Sequence, residues 1–91
     1  MGRKELHLIV TYRWYDEWLN GDKNEEYRKM TSRYMKILGN LDLSEGCDLV
    51  LHRGYTSTTQ RYPIEWINAG FGKQEWGAPA DDCVFIIKCK K

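Results

Sequence analysis

Residues 23–30 read Lys-Asn-Glu-Glu-Tyr-Arg-Lys-Met, and how they fold decides the architecture of this 91-residue chain. The segment is too short and too charged for an amphipathic helix, while its alternation suits a strand with one polar-lined face. In extended form Asn24, Glu26, Arg28 and Met30 point one way, and Glu25, Tyr27 and Lys29 the other. Glu26 and Arg28 then share a face with their bases about 6.5–7 Å apart, so they can meet or both reach one ligand. Buried unpaired charge is costly and paired charge roughly breaks even. That face is therefore either a solvated edge or the wall of a wet cleft where acid and guanidinium compensate each other. Lys23, in the turn before the strand, either swings over the same cleft or lies in water.

The flanks read more simply. Leu6–Val10 is a short apolar run with β-branched residues and is expected to be a buried strand. It runs directly into TYRWYDEWLNG, where Tyr12, Tyr15, Trp18 and Leu19 recur at helical spacing, Thr11 is placed to cap, and Asn20-Gly21 supply a left-handed stop. On the other side, TSRYMKILGN has Thr31 or Ser32 as cap, Tyr34, Ile37 and Leu38 as stripe, and Gly39-Asn40 as stop. Strands are then expected at Asp48–His52, around Tyr62–Ala69 with Pro63 placing its start at an edge or bulge, and at CVFIIKCK. The last has Cys83, Phe85, Ile87 and Cys89 on one face and Val84 and Ile86 on the other, so it belongs centrally in the sheet. RGYTSTTQR and GFGKQEWGAPADD read as loops, where sites are usually carried. Helices between strands, followed by a run of strands, predict an α+β fold with a small, strongly curved sheet closed or nearly closed on itself.

Composition bounds the function. The length suits one domain spanning residues 1–91, and 42% hydrophobic content supports a core. Fourteen basic against thirteen acidic residues give a formal charge of +1, so no global field draws the chain to polyanions and any nucleic-acid contact needs a local cleft. Three cysteines without C-x-x-C spacing and two histidines argue against a disulfide framework or a structural metal, and the cysteines read as small core residues. Neither a signal peptide nor a membrane span is apparent, which points to a reducing cytoplasm. No nucleotide, esterase, metalloprotease or calcium motif occurs, and no cofactor is implied.

The run G-D-K-N-E-E-Y-R, after an aromatic helix that follows an apolar strand, resembles the G-x-K-x-x-E-x-R signature of the ASCH domain family, matched at Gly21, Lys23, Glu26 and Arg28. The order of RWYDEWLNG, RYMKIL, the R-G-Y at Arg53–Tyr55, the glycines Gly70 and Gly72, and EWGAP at Glu75–Pro79 is similar to small phage and bacterial members, so the resemblance covers nearly the whole chain. It implies a PUA-like β-barrel with two short flanking helices, a fold used to bind RNA or modified nucleosides. Some small relatives are similar to acetylcytidine amidohydrolases, which use a Lys, a Thr and a Glu. Here Lys23 fits the lysine, but Glu26 stands where that Thr would be and offers no hydroxyl nucleophile. Members with this Glu are described as RNA-binding, with ribonuclease activity suggested for some.

The expected site is an RNA or nucleotide cleft. Lys23, Arg28 and Arg53 supply donors, Glu26 accepts from an exocyclic amine or holds Arg28, and Tyr55 and Trp76 stack on an unpaired base. If the chain is an enzyme, a nuclease or an amidohydrolase on a nucleobase derivative, Lys23 orients or activates, and Glu26 or Glu75 is the acid or base. A third reading is an accessory module that binds a protein through exposed aromatics such as Trp76. Plainer roles stand beside these. Trp14, Trp18 and Trp66 lie in predicted elements and suit the core, Trp76 equally well packs over the sheet end, and Arg53 braces a turn before Gly54. His7 suits a satisfied edge position, and His52 lacks an evident acid partner.

Overall fold

The computed structural model describes residues 4–91. The elements run β1 (Lys4–Val10), α1 (Tyr12–Asn20), β2 (Glu25–Lys29), α2 (Ser32–Gly39), β3 (Cys47–Arg53), β4 (Thr59–Gly70) and β5 (Val84–Cys89), with one short 3-10 turn at Gln74–Trp76 before β5. The five strands form a mixed sheet in the order β1-β3-β4-β5-β2. β1 pairs with β3 in parallel, as a long crossover through both helices and β2 permits, and the other three pairings are antiparallel.

β4 joins the two halves of the sheet. Its first half, through Pro63, pairs with β3, and its second half, from Ile64, pairs with β5. A register shift separates Ile64 from Trp66 at the handover. Such an irregularity bends a strand, and a proline lacking an N–H is tolerated beside it. Pro63 thus marks the middle of a twelve-residue strand rather than the start of a short one. The sheet does not close: among the described residues β1 and β2, at its two ends, are not paired with each other. Instead the Arg28 guanidinium crosses the gap, its Nη2 donating to the Ile9 carbonyl at 2.9 Å.

One apolar cluster joins Leu6, Leu8 and Val10 of β1, Tyr15 and Trp18 of α1, Leu49 and Leu51 of β3, and Ile87 and Cys89 of β5. β5 lies between β4 and β2 and buries residues on both faces, as its continuous apolar run requires. Trp18 is fully buried, its ring centroid 5.0 Å from that of Tyr62. α2 turns Leu38 inward, and the Thr31 side chain accepts from the Tyr34 amide at 3.2 Å, so the cap is Thr31.

Several local expectations fail for identifiable reasons. Thr11 sits at the N-cap of α1 but its side chain makes no capping hydrogen bond, and Gly21 has φ −113°, so α1 stops without a left-handed residue. Tyr12 and Leu19 are exposed, leaving Tyr15 and Trp18 as the buried stripe. Met30 lies beyond the end of β2 and is exposed. Cys83 precedes β5 and is exposed, unlike the buried Cys47 and Cys89, because the strand begins one residue later than the apolar alternation suggests. No helix among the described residues is long and apolar enough to cross a membrane.

Candidate functional site

β2 is the edge strand beyond β5, with Glu26 opposite Ile87 and Arg28 opposite Phe85. The period-2 geometry turns Glu26 and Arg28 to the same side, where Trp18 of α1 meets Glu26. Glu26 is almost fully buried. Its Oε2 accepts from Arg28 Nη2 at 3.1 Å, and its Oε1 lies 3.5 Å from Trp18 Nε1 and 3.7 Å from Lys23 Nζ.

Lys23 is 1% exposed. Its ammonium stands 5.0 Å from the ring centroids of both Trp14 and Tyr27 and 5.9 Å from that of Trp76, and it donates to the Trp76 carbonyl at 2.8 Å. Such a cage substitutes ring quadrupoles for water. Burial holds the Lys23 pKa below the ordinary lysine value, and Glu26 opposes the shift. The Trp76 wall arrives on the segment after β4, tied down where the Tyr27 hydroxyl accepts from the Lys73 amide at 2.9 Å. Gly77, at φ +98°, brings that segment so close to α1 that an added Cβ would lie 2.9 Å from the Trp14 ring.

Arg28 connects the buried charges to the outside. Besides Glu26 and the Ile9 carbonyl it reaches the Tyr34 hydroxyl with Nη1 at 3.2 Å. Its Nε is enclosed without a hydrogen-bond partner among the described residues. Two hollows share Arg28 as a wall. One, of about 700 Å³, lies between the end of β2 and residues 77–84. The other, of about 360 Å³, lies between β1, α2 and Tyr55. Lys23 and Glu26 line neither; Glu26 stands behind Arg28 and holds it, with Lys23 beyond Glu26. Lys23 and Arg28 face the single carboxylate of Glu26, and Glu25 and Glu17 act on Lys23 from further away.

The fold therefore brings Lys23, Glu26, Arg28 and Trp76 together and separates the remaining candidates. Arg53 grips Asp16 through Nε and Nη2, both at 3.3 Å, with its guanidinium 4.1 Å from the Tyr12 ring centroid. It braces α1 against the β3–β4 turn, where Gly54 has φ +57° and its amide donates to the Val10 carbonyl. Tyr55 is 95% exposed and borders the smaller hollow. Glu75 is exposed in the 3-10 turn. Trp76 is half-buried, its ring also 4.2 Å from Lys73 Nζ, and so is less available to a protein partner than a free loop aromatic. Trp66 is half-buried beneath Lys88 rather than in the core. His7 shares a 2.8 Å hydrogen bond with His52 and another of 3.0 Å with Glu5, on the outer face.

Sequence reasoning missed Trp14 and Tyr27 as walls around Lys23, and Tyr34 and Arg33 beside Arg28. Helical spacing does place Trp14 and Trp18 four apart on one face of α1. Nothing local indicates that Tyr27, whose side chain alternates away from Glu26, meets the ammonium of Lys23. Among the described residues no group of three or more His, Cys, Asp or Glu is arranged to hold a metal ion. Comparisons of the chain with protein-family models, with curated proteins and with solved structures find no match.

Proposed function

We propose that this protein is an RNA- or nucleotide-binding module of the ASCH kind, built on a PUA-like curved sheet, with Arg28 at the centre of its site. The observation that carries the reading is the setting of Arg28: a guanidinium held by Glu26, Tyr34 and the Ile9 carbonyl, forming a wall of both hollows, the smaller of which also carries Arg33. A fixed planar fork suits phosphate or a base carbonyl better than a mobile ammonium. Glu26 acts from behind to fix the position of Arg28, and Lys23 in turn partners Glu26. Short single-stranded RNAs should bind with an affinity that falls as salt rises. Fluorescence anisotropy should show Arg28→Lys, which keeps the charge and loses the fork, weakening binding about tenfold, as expected for loss of one charge-assisted hydrogen bond. A folded Arg28→Lys protein that binds every RNA like the parent would overturn the reading.

One observation favours an enzyme as the second reading. Lys23 is a buried amine with a lowered pKa, 3.7 Å from a carboxylate, the kind of pairing found where proton transfer is catalysed. Substrate could reach it only if the segment carrying Trp76 lifts from α1. Incubation with RNA and modified nucleosides tests this: turnover by the parent and none by Glu26→Gln supports it, and no product from either removes it.

A further inference from the structure

The 360 Å³ hollow runs along a backbone edge. β1 ends the sheet and pairs only with β3, and no strand among the described residues pairs its other edge. Which groups face that edge follows from two hydrogen bonds. The Val10 carbonyl accepts from the Gly54 amide on the β3 side, and the Ile9 carbonyl accepts from Arg28 on the opposite side. Extended backbone alternates, so the N–H and C=O of His7 and the N–H of Ile9 point the same way as the Ile9 carbonyl, along the hollow's wall.

The hollow's other walls are suited to an anionic, flat ligand. Arg33 makes no ion pair among the described residues, and its guanidinium lies 6.0 Å from the Tyr34 ring centroid. Tyr55, 95% exposed, presents a free ring at the rim. Arg28 decides between an added peptide strand and a compact ligand. A peptide strand needs a continuous run of main-chain bonds, and Arg28 already occupies the Ile9 carbonyl and ends the free edge there. A base needs only two or three groups, and the hollow lies at the small end of the range that ligand sites occupy.

We propose that this hollow holds one unpaired RNA nucleotide, its base edge bonded to the β1 backbone at His7 and Ile9, its ring stacked on Tyr55 and its phosphate on Arg33. This deepens the RNA-binding reading and rests on it. Duplex RNA does not fit, because a paired and stacked base offers neither its Watson–Crick edge nor a free ring face to Tyr55.

The test uses labelled single-stranded RNA for affinity and backbone amide NMR with nucleoside 5′-monophosphates for location. Tyr55→Ala should weaken RNA binding roughly 5- to 100-fold, as loss of one stacked base does. Arg33→Ala should weaken it too and reduce the salt slope by about one. Both side chains are exposed, so the variants keep the parent's circular dichroism. The His7 and Ile9 amides should shift on titration with a nucleoside monophosphate while those of β5 stay in place. If RNA binds and Arg28→Lys weakens it, yet Tyr55→Ala and Arg33→Ala behave like the parent and the two amides do not move, the nucleotide site is overturned and the broader reading survives. If those amides answer only an extended acidic peptide, strand addition replaces the nucleotide. If the parent binds no RNA, both readings fall together.

Discussion

Two sets of charges lie on opposite sides of the same small sheet and use the same chemistry to different ends. Inside, Glu26 is shared by Lys23, Arg28 and the Trp18 indole, with aromatic rings enclosing Lys23. Outside, on β1, β3 and β4, Glu5 joins His7 and Arg61, His7 continues to His52, and Arg61 reaches Asp48. Hydrogen bonds from His7, then from Arg61, hold the Glu5 carboxyl below its ordinary pKa, but water competes for every exposed member. Lys23 and Glu26 cannot fall back on solvent. Loss of Glu26 strands Lys23, whereas loss of Glu5 or His7, both exposed, lets water take its place; Asp48, as buried as Glu26, is the one outer member for which it does not. Burial, more than the number of ion pairs, decides which cluster the fold depends on.

The largest test of that contrast is Glu26→Ala. It leaves two cations beside one another with no carboxylate, and urea unfolding should show a loss of about 3–5 kcal/mol. A loss under about 1 kcal/mol, the range of surface pairs, would mean water reaches the inner set and the contrast is false. Gly77→Ala probes the cage without touching a charge. The left-handed backbone and the approach to Trp14 should together cost about 2–3 kcal/mol, with the Trp fluorescence altered.

Alkaline titration sharpens the comparison through groups ionised more readily in the unfolded chain. Burial raises the Cys89 pKa from 9.0 to about 12 and raises that of Tyr27 above 10.0. Each contributes stability that is complete below its unfolded pKa and is lost as pH climbs toward its folded value. Lys23 works in the other direction, since its lowered pKa makes the folded state relatively better as pH rises toward 10.5. The parent should therefore lose about 1–2 kcal/mol between pH 9 and 10.5. Cys89→Ala should flatten that loss and Lys23→Met should steepen it, as followed by denaturant unfolding at each pH. The smallest effect is expected outside: Asp16→Ala, which releases Arg53, should cost about 0.2–1 kcal/mol, and less in high salt.

The reading of residues 23–30 as a strand with Glu26 and Arg28 on one face needed only the period of extended backbone, and β2 at Glu25–Lys29 has that arrangement; whether the face was a solvated edge or a cleft wall was open from spacing, and the fold turns it inward. The same local rules found both helices, the Thr31 cap and the central position of β5. They failed where an answer depended on distant residues. Lys23 has no periodicity of its own, and only the segment fifty residues later, carrying Trp76, encloses it. Arg53 looked equivalent to Arg28 as a donor, yet Asp16 on α1 claims it. Cys83 belonged to the alternation of β5 but not to the strand.

Sequence by itself determined the strand and helix order, the apolar faces that make the core, and the common face of acid and guanidinium on β2, because each is set by periodicity within a few residues. Tertiary structure alone decided that the sheet stays open between β1 and β2, that Arg28 spans the gap, and that a cage closes around Lys23. Those outcomes depend on the bend in β4 and the return of the segment after it, which bring together groups whose spacing along the chain carries no signal of contact.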